Sequence, residues 1–200
     1  MVLVGKQAPD FTAAAVLGNG EIVDSFNLKE FTQGKEIVIF FYPLDFTFVC
    51  PSELIAFDKR FGEFQARGVE VVGISIDSQF THNAWRNTEI NKGGIGAVQY
   101  PLVADVKHEI CKAYDVELED AGVALRGSFL IDKKGVVRHQ VVNDLPLGRN
   151  IDEMLRMVDA LQFHEEHGEV CPAQWAKDKA GMEATPEGVA KYLAENSDDL

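Results

Sequence analysis

Between positions 36 and 42 the chain reads EIVIFFY, an almost unbroken apolar run rich in β-branched and aromatic residues. Its length and composition predict a buried strand, and Pro43 closes it. From Pro51 the rhythm changes. Leu54, Phe57, Phe61 and Phe64 recur at spacings of three and four with charged residues between them, the stripe of an amphipathic helix. Pro51 suits the first turn of that helix, where its missing N–H is no loss, and Gly68 suits the stop. Residues 69–76, VEVVGISI, form a second buried run. Strand, helix and strand in about forty residues predict a parallel βαβ unit with a right-handed crossover.

The later pattern extends this sheet. Residues 128–132 and 136–142 flank Lys133-Lys134-Gly135, a hairpin signal in which Gly supplies the positive φ. Helices are predicted over 81–91 and 107–114. A further helix over 151–163 carries Met154, Leu155, Val158 and Leu161 on one face. The prediction is therefore a thioredoxin-like α/β fold, a central mixed sheet flanked by helices. From His164 the periodicity weakens, so residues 1–163 are read as one domain and 164–200 as a C-terminal arm with short helices. Beyond a Val-Cys-Pro triplet at 49–51 that returns at 170–172, no internal repeat stands out.

Composition narrows the function. Nineteen basic against thirty-two acidic side chains leave a formal charge of −13, which argues against nucleic acid as a partner, since phosphates call for a basic stripe. The opening MVLVGKQAPDF lacks the basic-then-apolar pattern of a secretory signal, and no apolar run reaches the roughly 18 residues needed to cross a bilayer. Three cysteines in such a chain predict a reducing, cytoplasmic setting, where a disulfide is transient and catalytic rather than structural.

A single cysteine is ordinarily a small buried hydrophobe. Cys50 differs in its place, between the end of a strand and the start of a helix. Helix N-termini and neighbouring arginines are the settings that lower a thiol pKa. Thr47, three residues earlier, is expected one helical turn away with its hydroxyl on the same side. Lowering a thiol pKa from about 8.5 to about 6 raises the thiolate fraction roughly thirtyfold at pH 7. The accompanying loss of nucleophilicity takes back roughly tenfold. A fast cysteine enzyme therefore also needs donors aimed at the leaving group.

The segment from Pro43 to Glu53, PLDFTFVCPSE, resembles the active-site segment of typical two-cysteine peroxiredoxins, the group that includes the bacterial AhpC-type enzymes. The likeness takes in Ala8-Pro9-Asp10-Phe11, the Asp77-Ser78 region with Trp85, and Arg126-Gly127. It continues through 144–149 (DLPLGR) and ends at 168–172 (GEVCP). The resemblance implies that Cys50 is the peroxidatic cysteine, attacking a peroxide oxygen and becoming a sulfenic acid. It implies that Pro43 shields the pocket, Thr47 hydrogen-bonds the peroxide, and Arg126 holds the thiolate and the departing oxygen. Glu53 and Arg149 are the implied supporting pair. Cys171 is the implied resolving cysteine, closing an intersubunit disulfide with Cys50 in a homodimer, within a decamer of five dimers. A thioredoxin-type or AhpF-type protein is the implied reductant. No metal or organic cofactor is expected, because sulfur carries both electrons.

Several features fit the pattern less closely. Gly93-Gly94-Ile95-Gly96 and Tyr192-Leu193 resemble the family's Gly-Gly-Leu-Gly and Tyr-Phe elements, which are linked to over-oxidation. Cys111 is read as a packed bystander, Trp85 as core or interface, and the run His164-Glu165-Glu166-His167…Cys171 as a charged turn in preference to a zinc site. Of two rival functions, the first is discounted and the second is kept as an additional role. A thioredoxin-type disulfide oxidoreductase calls for a second cysteine at the helix start, where Ser52 and Glu53 stand. A holdase chaperone or redox sensor is a possible second role.

Overall fold

The computed structural model describes residues 1–199, and Leu200, the last residue of the expected arm, lies outside them. The chain divides into two compact units, Met1–Ile151 and Asp152–Leu200. The division falls at the start of the helix predicted over 151–163, whereas the pattern of the sequence suggests a boundary at its end.

The first unit opens with strands β1 (Thr12–Val16) and β2 (Ile22–Asn27), which pair antiparallel. A short helix α1 (Leu28–Thr32) follows, started by the Asn27 side chain, which accepts from Glu30 N. Strand β3 (Glu36–Phe41), helix α2 (Cys50–Ala66) and strand β4 (Val69–Ser75) then form the expected parallel unit, in register from Glu36 opposite Val69 to Phe41 opposite Ile74. Gly68, at φ +70°, turns the chain after α2. Next come α3 (Gln79–Arg86), β5 (Leu102–Ala104), α4 (Glu109–Ala113) and the two-stranded ribbon β6 (Glu117–Leu118) and β7 (Val123–Ala124). The unit continues with the hairpin β8 (Arg126–Ile131) and β9 (Val137–Asn143).

Seven of these strands make one mixed sheet, ordered β2-β1-β5-β4-β3-β8-β9. Its interior strand β3 is buried along its whole length, which is why its sequence shows no alternation. Successive side chains nevertheless point to opposite faces. Ile37, Ile39 and Phe41 join a cluster with Tyr114 and Phe129. Phe40 points the other way and stacks on Phe57 of α2, centroids 4.0 Å apart. The Phe spacing in α2 thus places that helix against the sheet, with Tyr100 closing the edge of the stack and donating to the Leu54 carbonyl at 2.7 Å.

Some predicted boundaries shift for local reasons. Helix α3 begins earlier than residue 81 because the Ser78 hydroxyl accepts from Thr81 N. It ends before 91 because Asn87 and Thr88 donate side-chain hydrogen bonds to the carbonyls of Asn83 and Ala84, after which the chain makes a short 3₁₀ turn, Ile90–Lys92. Helix α4 is shorter than 107–114, with both oxygens of the buried Asp105 accepting from Ile110 N and Cys111 N. In the β8–β9 hairpin Asp132 accepts from Lys134 N and Val136 N, and Gly135 takes φ +79°.

The second unit is built on α5 (Ile151–His167) and α6 (Pro186–Asn196). Helix α5 outruns the predicted end at 163, so the His164–His167 stretch is exposed as expected but forms the last turn of the helix and not a separate charged turn. Met154, Leu155, Val158 and Leu161 are buried as their spacing predicts. Between the helices, Val170 and Met182 form an isolated antiparallel bridge, and the buried Trp175 packs on Phe163 with centroids 5.0 Å apart. Arg156 ties this loop to α5 through the Trp175 carbonyl at 2.7 Å. Thr185 caps α6 by accepting from Gly188 N, with Pro186 in the first turn.

Candidate active site

Cys50 is the first residue of α2 and is fully buried. Val49 precedes it in the N-cap position, and no side chain among the described residues caps the helix. Pro51 removes one of the free N–H groups of the first turn; the remainder, with the helix dipole, favour negative charge at this end. Strand β8, beside β3 in the sheet, supplies the cation. Arg126 Nη1 donates to Cys50 Sγ at 3.4 Å and to Glu53 Oε2 at 2.6 Å, while its Nε donates to the Leu145 carbonyl at 2.8 Å.

Glu53 lies one turn into α2, with its side chain 3% exposed. Its other oxygen, Oε1, accepts from the backbone N and Nε of Arg149 at 2.9 and 2.8 Å, and Oε2 also accepts from Arg149 Nη2 at 2.9 Å. Arg149 Nη1 reaches the carbonyls of Phe41 and Gly127, and its guanidinium lies 5.2 Å above the Phe40 ring. The cluster therefore holds two guanidinium groups and one carboxylate, all buried. One positive charge is left unmatched within it, and that charge faces the sulfur. An anion formed at Sγ, or on an oxygen leaving beside it, completes the balance.

The loop between β3 and α2 carries the remaining predicted residues. Pro43 is buried and Thr47 half-buried. Thr47 is not on a helical turn with Cys50, as its spacing suggests: residues 43–49 form a loop with Phe46 in the left-handed region at φ 54°. The Thr47 hydroxyl donates to the Leu44 carbonyl at 2.8 Å. Its proton is thus engaged, and its oxygen is left to accept from a bound O–H group.

A network that the sequence pattern did not single out fixes this loop. Asp45 is buried, with Tyr42 Oη donating to its Oδ1 at 2.9 Å and His82 Nδ1 lying 2.8 Å from its Oδ2. The Asp45 backbone N donates to Asp77 Oδ2, which also accepts from Ser75 Oγ. Burial is the main cause that pushes the Asp45 carboxyl above its ordinary pKa, against the lowering pull of His82. An acidic residue three positions beyond the apolar run that ends at Tyr42 is the one signal in the sequence that could have marked it. Trp85 is core, buried and donating to the Gly93 carbonyl at 2.8 Å.

The other two cysteines differ from Cys50. Cys111 is buried in α4, and burial together with Asp105 and Glu117 pushes its thiol up to about 12, far from a reactive state. Cys171 belongs to the second unit, between α5 and α6, where Sγ donates to the Ala160 carbonyl at 3.4 Å. Burial raises its pKa and the charge of Arg156 opposes the rise. All three cysteines are free thiols.

A helix-borne thiol on a mixed sheet, with a guanidinium fixed against it, belongs to a thiol-based oxidoreductase. Comparison with known proteins gives the kind. The chain belongs to the AhpC/TSA family, whose model matches residues 4–140. A second model, the C-terminal domain of 1-Cys peroxiredoxin, matches residues 160–195; it is named for one-cysteine members, although in this chain the matched stretch contains Cys171. Among curated proteins, alkyl hydroperoxide reductase C of Helicobacter pylori (strain ATCC 700392 / 26695) is 60% identical over 196 residues, covering 98% of each chain. Peroxiredoxin-1 of Gallus gallus is 53% identical over 172 residues, covering 86% of this chain and 85% of its own. Among solved structures, the reduced 2-Cys peroxiredoxin of Plasmodium vivax superposes with a TM-score of 0.93 at 48% identity, covering 97% of this chain and all of that one. The fold is the thioredoxin-like one expected from the sequence.

Proposed function

We propose that the chain is a thiol-dependent peroxidase reducing hydrogen peroxide and small organic hydroperoxides, with Cys50 as nucleophile. The observation that carries this reading is the 3.4 Å contact between Arg126 Nη1 and Cys50 Sγ, held by Glu53. The sulfur attacks the near peroxide oxygen, the O–O bond breaks, and the far oxygen leaves as water or alcohol after taking up a proton. Cys50 becomes a sulfenic acid. Arg126 faces the charge that develops, Thr47 accepts from the peroxide O–H, and the buried Pro43 limits access by water. Glu53 and Arg149 position Arg126. The Cys171 thiol of a partner subunit then displaces water from the sulfenic acid and forms a disulfide, and a dithiol reductant of the thioredoxin or AhpF type returns two electrons.

Residues 164–200 are read as the arm that delivers Cys171, in a homodimer that assembles further into a decamer in the cytoplasm. Among the described residues, no helix is long and apolar enough to cross a membrane.

One equivalent of peroxide, followed by non-reducing electrophoresis, tests the scheme. A covalent dimer is expected from the parent protein and from neither Cys50→Ser nor Cys171→Ser. Peroxide consumption is lost in Cys50→Ser, whereas Cys171→Ser still undergoes a first oxidation. Continued turnover by Cys50→Ser in the presence of reductant would overturn the assignment.

A further inference from the structure

The first unit holds a cluster of side chains of metal-ligating type, on elements that the peroxidase chemistry does not use. Helix α4 begins just after His108 and carries Cys111, and β6 opens with Glu117. A nitrogen of His108, the sulfur of Cys111 and a carboxylate oxygen of Glu117 all lie within 4.8 Å of one another. Cys111 is buried, the Glu117 side chain is 8% exposed, and that of His108 is 26% exposed. His108 Nδ1 lies 2.6 Å from Glu117 Oε1. The second carboxylate oxygen, Oε2, is buried and accepts no hydrogen bond among the described residues. Among the described residues, the cation near it is the Lys112 ammonium, on a largely exposed side chain and at an ion-pair distance of 3.5 Å. Buried carboxylate oxygens ordinarily have partners, so this one marks a place where positive charge is under-supplied.

We propose that His108, Cys111 and Glu117 form a zinc-binding site. Imidazole, thiolate and carboxylate are the three ligand types that zinc accepts together, with a tetrahedral shell. Harder cations such as magnesium and calcium prefer oxygen alone. Bonds of about 2.0–2.3 Å set tetrahedral ligand atoms roughly 3.3–3.6 Å apart. The 2.6 Å His108–Glu117 contact must therefore open by under about an ångström, and the sulfur, within 4.8 Å of both, must close by up to about 1.2 Å, both reachable by side-chain rotation. On binding, the Cys111 S–H bond breaks and its proton goes to solvent. His108 supplies a neutral lone pair, and Glu117 stays ionised. Zn²⁺ with one thiolate and one carboxylate has no net charge, which suits a buried setting. Water completes the shell on the side where His108 is exposed. The metal clips α4 to the β6–β7 ribbon, whose last residue, Ala124, stands two positions before Arg126. It takes no part in peroxide chemistry.

Full-length protein carrying Cys50→Ser and Cys171→Ser, reduced and stripped with chelator, is titrated with Co²⁺. Binding of one ion per chain is expected, with a sulfur-to-cobalt charge-transfer absorption that Zn²⁺ abolishes by displacement. Cys111→Ser removes the absorption, and His108→Gln or Glu117→Gln weakens binding by about tenfold or more. Lys112→Gln, which removes the competing ammonium, tightens it several-fold. Should Cys111→Ser fail to fold by circular dichroism, the other three variants carry the test. The proposal is overturned if no sulfur-to-metal absorption arises in the parent. Undiminished binding in Glu117→Gln and His108→Gln overturns it too, as does a site lost on His164→Gln instead.

Discussion

Glu53 is a single carboxylate with two guanidinium groups on it, and most of the geometry around Cys50 follows from that residue. It accepts from Arg126 and Arg149 with distances of 2.6 to 2.9 Å, and all three side chains are buried. In such a group each member is costly to lose singly, because the ions left behind remain out of water. Glu53→Gln preserves shape and removes the charge. It is expected to lower stability by about 3 kcal/mol in urea unfolding, and to slow oxidation of Cys50, because Arg126 is then free to turn away from the sulfur. A variant as stable and as fast as the parent would show that Arg126 is held by the Leu145 carbonyl alone. The two partners, Arg126 and Arg149, stand 73 and 96 positions from Glu53. No local periodicity could have assembled them. They were legible only through the resemblance of their flanking motifs to a known family. The Asp45–His82 pair was not legible even so, because nothing in a sequence says that a particular Asp and His will be buried against each other.

At the scale of elements, legibility followed burial. Strand β3 and helix α2 announce themselves, since a strand covered on both faces reads as a solid apolar run and a helix on a sheet shows a three-and-four stripe. Strands β1 and β5 escaped notice: TAAAV is made of small residues, and LVA is only three long. Gly73 of β4 shows how tightly these elements meet. A Cβ there would lie 2.9 Å from both Phe40 Cζ and Leu102 Cδ2. Phe40 cannot yield easily, being stacked on Phe57 and lying beneath the Arg149 guanidinium. Gly73→Ala is expected to cost about 1–3 kcal/mol from overpacking. It is also expected to slow the enzyme modestly by disturbing Arg149. Equilibrium unfolding and initial rates, measured on the same preparation, check both halves.

For the molecule as a whole, the buried acids with raised pKa values set its behaviour in alkali. Cys111, pushed up to about 12, keeps its proton when folded and releases it near 9 when unfolded. The folded state thus binds more protons between those values, and stability falls as pH rises through them, by up to about 1.4 kcal/mol per pH unit. Tyr42, Tyr100 and Tyr114 are raised by burial as well and add losses of the same sign from about pH 10 upward. In the Cys50→Ser, Cys171→Ser background with chelator present, Cys111→Ala should therefore flatten the decline between about pH 9 and 10 and leave the steeper loss above it. Equal slopes in the two proteins would remove Cys111 as the cause. The uncapped beginning of α2 has a consequence of another kind. Val49→Asp would supply the missing acceptor and strengthen the helix by about 1 kcal/mol, visible as a higher urea midpoint. It would also set a carboxylate against the amide hydrogens that, on the proposed mechanism, steady charge at the Cys50 sulfur, so peroxide consumption should drop. Robustness and reactivity here draw on the same few amide hydrogens, those of Ser52 and Glu53 that now reach only the Val49 carbonyl at 3.1 and 3.4 Å, and valine at that position sets no competing charge against them.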